Sequence, residues 1–346
     1  MTAAPREPAE GGAAFPSTNF LDPTVLATIG NLELLARVVV QGFINGLHRS
    51  PHLGSSTDFA EHRAYMPGDD IRRIDWKLWG RTDRFYVKEF EADTNTNFLV
   101  ILDVSPSMRY RGAAPDVSPV TKLEYGCFLA AALAYFSSLQ RDRVGLATLD
   151  GDLVEYVPPS AKHLQQVLHA LERANGPSRV ARRASGAATL KTGEEGRRAI
   201  GLDPAARLRT ALLPSFRKLA ESTRRRSIIA VISDLYEEPD AIVEAIGQLY
   251  GRGNDIVVFH LLDRNELDFP FSEASNFIDL ETGEKMPVIP DYLRAQYRAL
   301  VRAHTTELAR RMRGQRVDYA LFDTSKPLDK ALFAYLSARE RLSRVR

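Results

Sequence analysis

The chain has 346 residues, 44% of them hydrophobic and 26% charged, a globular composition that argues against collagen, coiled coil or global disorder. Lys and Arg number 46 against 44 Asp and Glu, a formal net charge of +2, so no global attraction to nucleic acid or membrane is expected. The single cysteine, Cys127, excludes an intramolecular disulfide and any multi-cysteine zinc or iron–sulfur site. The longest apolar stretch, Tyr125 to Phe136, has 12 residues, short of the roughly 20 a membrane span needs. No secretory pattern opens the chain, so a cytoplasmic location is expected.

Residues 1–21 are rich in Ala, Gly and Pro and read as a disordered tail. From Pro23 to Leu47 apolar residues recur at threes and fours, which predicts a helix. A mixed-charge stretch from Thr57 to Glu91 follows, carrying Tyr65, Trp76, Trp79 and Tyr86. Residues 22–93 are therefore expected to form a helical and extended N-terminal addition. From about residue 94 the pattern changes. Apolar runs at Phe98–Leu102, Arg143–Leu149, Ser227–Ser233, Ile256–Leu262 and Val317–Phe322 predict strands, with Leu153–Val157 an edge strand after the Asp150-Gly151 turn.

Between them, helices are predicted over Lys122–Leu139, Ala161–Ala174, Ala205–Arg225, Ala241–Tyr250 and Asp291–Arg313, with a last one from Asp329 to about Arg341. This alternation implies an α/β fold: a doubly wound, mostly parallel sheet flanked by helices, spanning 94–346. Residues 178–202 lack a clean period and read as an Arg-rich surface insertion. Asp268–Pro290, rich in Phe and Pro, reads as an embellishment.

The sharpest local feature is Asp103-Val104-Ser105-Pro106-Ser107-Met108, directly after an apolar strand. A strand ending in Asp places a carboxylate at the sheet edge where open α/β folds bind ligands. The two following hydroxyls add neutral oxygen donors, and a second carboxylate, Asp234, ends another apolar strand. That set suits one hard divalent cation, Mg²⁺ or else Mn²⁺ or Ca²⁺. The bland alternative is that Asp103 and Ser105 only cap and turn the strand-to-helix connection.

In this context DVSPSM resembles the metal-ion-dependent adhesion site of von Willebrand factor type A domains. The upstream FAEHRAYMPGDDIRRIDWK, from Phe59 to Lys77, is similar to the signature of bacterial domain-of-unknown-function family fifty-eight. RVGLATLD, RRRSIIAVISDLYEEP, VFHLLDRNELDFPF, FIDLETGE and RVDYALFDTSKPL are similar to that family as well. The resemblance implies a von Willebrand type A-like, Rossmann-like fold and metal ligands at Asp103, Ser105 and Ser107, with Asp234 matching a fifth ligand that in such domains usually acts through a water. For the fourth element it implies a Thr: Thr210 is preferred, but the expected Gly-rich lead-in is missing there, and Thr189 competes. It implies no catalysis, an open coordination position for a partner's carboxylate, and a MoxR-type AAA+ ATPase as partner in protein remodelling or maturation.

The alternative is a metal-dependent phosphohydrolase or nuclease using Asp103 and Asp234. Two carboxylates with three hydroxyls suggest one ion rather than two, and no HExxH, P-loop, GxSxG or Rossmann glycine fingerprint is present. His48 and His52 are separated by Pro51, which works against a helical metal pair.

Around Pro67-Gly68, residues Arg63, Asp69, Asp70, Arg72 and Asp75 read either as an ion-pair network beside Trp76 or as a partner-binding surface. Ser178 to Arg226 carries 13 Lys and Arg against 4 Asp and Glu. Without interleaved aromatics this favours a solvated basic face, or an acidic protein surface, over nucleic acid.

Overall fold

The structure, a computed structural model, describes residues 23–48, 62–64, 84, 86–88, 96–112, 120–176, 215–221, 226–281, 283–333 and 335. Helix α1 (Pro23–Leu26) and helix α2 (Leu32–His48) occupy the region predicted as one helix. They are separate because the chain breaks at Gly30-Asn31, and the Asn31 Oδ1 accepts the Leu34 N–H at 2.9 Å as an N-cap. Strands β1 (His62–Ala64) and β2 (Tyr86–Lys88) form a small antiparallel ribbon. Asp69, Asp70, Arg72, Asp75, Thr189 and Thr210 lie outside the described residues, as does the 178–202 insertion. Arg63 is described only as backbone of β1.

The main sheet holds β3 (Asn97–Asp103), β4 (Arg143–Asp150), β5 (Asp152–Ser160), β6 (Ser227–Ser233), β7 (Asp255–Leu262) and β10 (Asp318–Asp323). Their order is β10-β7-β6-β3-β4-β5, with β5 alone antiparallel to its neighbour. Helices α3 (Lys122–Leu139), α4 (Leu164–Asn175), α5 (Pro239–Tyr250), α6 (Arg264–Asp268) and α7 (Pro290–Gly314) connect and flank the strands. The result is a mixed α/β architecture with a mostly parallel central sheet between helices. Strand β5 contains Pro158-Pro159, which its edge position tolerates because no further strand needs those N–H groups. Opposite them, Gly145 in β4 is required: a Cβ there would stand 2.7 Å from the Val157 carbonyl oxygen.

The residues segregate by strand parity into two cores. Phe98, Val100 and Leu102 of β3, with Ile228, Ala230 and Ile232 of β6, pack with α2, α3 and α4. Leu99, Ile101, Ile229 and Val231 pack on the other face with Phe216, Leu219, α5 and the inner side of α7. Period-two alternation across two covered faces makes both parities apolar, which is why these strands read as unbroken hydrophobic runs.

Helix α3 buries 14 of its 18 residues. A helix apolar on every side must be covered on every side. Its inner face meets the sheet, and α2 supplies the outer cover through Leu35, Ala36, Val39, Val40 and Phe43, all in the same core. Val39 is fully buried, so Val39→Asp places an unpaired charge inside that contact. Such a change should destabilise the whole domain by about 3 kcal/mol or more. A chemical-denaturation midpoint within error of wild type would show that α2 is dispensable.

Candidate functional site

The first strand of the sheet, β3, connects to β4 on one side and lies beside β6 on the other. Strand order therefore reverses between β3 and β6, and the crevice at their carboxyl ends is where an open α/β sheet binds ligands. Asp103 ends β3. Leu102 pairs with Ile232, so Asp103 comes level with Ser233 at the end of β6. Beyond Asp234 the chain turns sharply, with Leu235 at φ 46°, a left-handed conformation that a branched side chain adopts only when its surroundings enforce it. Ser233 Oγ accepts the Leu235 N–H at 3.0 Å and secures the turn.

Around Asp103 the polar contacts are dense. Its Oδ1 accepts the Ser105 N–H at 2.9 Å, and its Oδ2 accepts the Ser233 hydroxyl at 2.6 Å. Ser105 Oγ and Ser107 Oγ stand 3.0 Å apart, on either side of Pro106, which opens a 3₁₀ turn over Pro106–Arg109. The Ser107 N–H donates to Glu281 Oε1 at 2.8 Å. Glu281 comes from the turn of a hairpin made by β8 (Ser275–Ile278) and β9 (Lys285–Val288), inside the predicted embellishment.

Asp234 is held differently. Lys122, fully buried at the first position of α3, donates from Nζ to Asp234 Oδ2 at 2.8 Å and to Glu266 Oε1 at 2.7 Å. Glu266 Oε2 accepts the Asp263 N–H at 2.7 Å, closing a capping box at the start of α6. The ammonium also lies 4.7 Å from the centroid of the Tyr236 ring. Burial alone would lower the Lys122 pKa, but the Asp234 and Glu266 carboxylates outweigh it and hold the lysine charged. By contrast, burial and then the neighbouring Asp234 charge push Asp103 up to about 6. Burial, with Asp103 second, pushes Glu237 up to about 8.

These groups line one cavity of about 690 Å³, within the range of small-molecule and side-chain pockets. Of the predicted metal ligands, the structure brings Asp103, Ser105, Ser107 and Asp234 to this cavity. Among the described residues no group of three or more His, Cys, Asp and Glu is arranged to hold a metal, so any cation here would depend on the serine hydroxyls. The oxygen spacing fits such an ion: adjacent ligands of an octahedral Mg²⁺, each about 2.0–2.1 Å from it, lie about 3 Å apart. Against it stands Lys122, which already occupies Asp234 Oδ2.

Sequence reasoning missed Lys122, Ser233, Glu266 and Glu281. Glu266 and Glu281 sit in LLDRNELD and FIDLETGE, motifs that carried the family resemblance, and that was an available signal. Lys122 carried another: a cation at a helix N-terminus opposes the helix dipole and so asks for a compensating carboxylate.

Removing the Lys122 charge strands two carboxylates in the interior. Lys122→Met should cost about 3–5 kcal/mol in denaturant unfolding, and an unchanged midpoint would show the triad to be solvated. The raised Glu237 has its own signature. From about pH 4.5 to pH 8 the folded chain keeps a proton that the unfolded chain has released, so this contribution to stability falls as pH rises. Relative to Glu237→Gln, wild type in EDTA should lose up to about 1.4 kcal/mol per pH unit across that window. A parallel pH profile for the two proteins would refute the shift.

Similarity to other proteins is broad but uncharacterised. The uncharacterized protein Rv1480 of Mycobacterium tuberculosis (strain H37Rv) is 25% identical over 294 residues, covering 85% of this chain and 83% of that protein. The uncharacterized protein Mb1516 of Mycobacterium bovis matches to the same extent. Among solved structures, an aerotolerance-related membrane protein from Bacteroides fragilis aligns with TM-score 0.40 and 19% identity, over 71% of this chain and 99% of that one. The conserved hypothetical protein BatB from Bacteroides thetaiotaomicron aligns with TM-score 0.39 and 18% identity over the same shares. Among the described residues no helix is long and apolar enough to cross a membrane. The model of one family, described as protein of unknown function DUF58, matches residues 61–307, well over half of the sequence, and this chain belongs to that family.

Proposed function

We propose that this chain is a noncatalytic, metal-dependent protein-binding module with a von Willebrand type A-like fold. The observation that carries the reading is the meeting of a strand-end carboxylate, Asp103, with two hydroxyl oxygens 3.0 Å apart, at the reversal point of the sheet and open to a large cavity. Asp103, Ser105 and Ser107 would hold one Mg²⁺, or Mn²⁺ or Ca²⁺, and Thr210 is the proposed further element. When bound, such a cation supplies an electron-poor point that takes up an external carboxylate. Ser233 and the Ser105 N–H orient Asp103 for this role.

Asp234 would contribute through Oδ1, by way of a water, because Lys122 occupies Oδ2. The Lys122 charge therefore makes the site a weak, reversible binder. Asp103 is bonded through both of its oxygens and Asp234 through Oδ2, which supports capture rather than turnover. The proposed partner, a MoxR-type AAA+ ATPase, rests on the family resemblance alone. The charged surface of Arg63, Asp69, Asp70, Arg72 and Asp75 is proposed to join in docking.

The Ser107 N–H already holds one carboxylate, that of Glu281, as an acidic partner would be held. Calorimetric titration of the full chain with Mg²⁺ and with Mn²⁺ should give one saturable site that Asp103→Ala abolishes. With the ion present, Glu281→Ala should tighten binding of an acidic peptide several-fold by freeing that position. No saturation below about 10 mM, a binding free energy under about 3 kcal/mol, or equal affinity in Asp103→Ala, would refute the metal reading.

A further inference from the structure

The same cavity extends beyond the oxygen cluster, and its far part has a chemistry that a metal ion does not use. Over the whole cavity eight Asp and Glu side chains line the wall, Asp103, Asp234 and Glu281 of them at the serine end, and no Lys or Arg among the described residues does. Lys122, behind the wall, offsets only part of that charge. Interleaved with the carboxylates is an aromatic wall. Phe269 stands 4.6 Å from Tyr297 between ring centroids and stacks on Phe277 at 5.7 Å, and Phe271 meets Phe277 edge-on at 5.0 Å.

A small hydrated metal gains nothing from aromatic carbon. A basic side chain does: its stem packs on the rings and its charge is attracted to their faces. The protein already uses this arrangement once, since Lys122 lies among Asp234, Glu266 and the Tyr236 ring with no exposure to solvent.

Asn265 provides the independent sign of a ligand. It is 2% exposed and lines the cavity, and its side chain bonds Tyr110. Its Oδ1 nevertheless has no hydrogen-bond partner among the described residues. A buried acceptor without a donor costs about 1–3 kcal/mol, and a lysine or arginine head group, which only donates, supplies what is missing. A partner's carboxylate cannot.

We infer that this part of the cavity receives a lysine or arginine side chain of a partner polypeptide, seated against the Phe269–Tyr297 wall and bonded to Asn265. This goes beyond the proposed metal-dependent capture of a carboxylate and does not require it, so its test is run in EDTA. Together the two would select a partner segment carrying an acidic and a basic residue close together.

The full chain is titrated with acetylated, amidated Ala-Arg-Ala and Ala-Lys-Ala, with Ala-Gln-Ala as the neutral control and with spermidine as a free amine. The basic peptides should saturate, and the Gln peptide should bind at least about tenfold more weakly, corresponding to about 1.4 kcal/mol. Asn265→Leu and Tyr297→Leu, each shown by circular dichroism to be folded, should weaken the basic peptides about fivefold or more. Equal binding of the Gln peptide would overturn the inference. So would unchanged affinity in both folded variants, or saturation by spermidine with none by either basic peptide. Failure of the Mg²⁺ titration together with retained basic-peptide binding would remove the metal reading and leave this one standing.

Discussion

Lys122 enters helix α3 at the end where the helix dipole makes a positive charge least favourable, and it does so with no exposure to solvent. Two carboxylates make this arrangement stable. Asp234 arrives from the end of β6 and Glu266 from the first turn of α6, and both lie within 2.8 Å of the ammonium. One side chain thus ties three elements that are 112 and 144 residues apart in the chain. Glu266 has no slack, because its second oxygen completes the cap of α6. The floor of the cavity is rigid for that reason, and Asp103, Tyr236 and Asn265 are arranged upon it.

The electrostatics of the site follow from this triad. Burial first, and the neighbouring negative charge second, raise the proton affinity of Asp103 and Glu237. With one cation among the carboxylates at the crevice, the site is left with a surplus of negative charge and is short of positive charge. A divalent ion at the serine end and a basic side chain at the aromatic end are two ways of supplying it. The proposed ion and the proposed basic side chain would occupy different parts of the cavity, the hydroxyls suiting one and the rings the other. The hairpin turn that brings Glu281 onto the Ser107 N–H stands at the serine end.

The N-terminal helix belongs to the same economy of burial. Helix α3 has almost no polar face, because it lies between the sheet and α2. A helix so apolar could not sit on the outside of a sheet without a second layer. The α2 residues are therefore part of the domain's core, even though they precede the first strand of the main sheet.

Much of this was legible in the sequence. The five parallel strands read as apolar runs because both faces of the sheet are covered, and the two strands ending in Asp103 and at Asp234 pointed to the ligand-binding edge. That Ser105 and Ser107 stand beside Asp103 was legible because they follow that strand at alternate positions. Boundaries were less so: the break between α1 and α2 depends on an Asn31 cap, a local bond that apolar periodicity does not register. What only the tertiary structure decided is which charges meet. Lys122, Asp234, Glu266 and Glu281 lie on separate elements, and nothing within one of those elements names its partner on another. Periodicity along a chain reports which face is buried, but pairing between distant charged groups depends on strand order and on the position of a hairpin turn, and those are set by packing of the whole sheet.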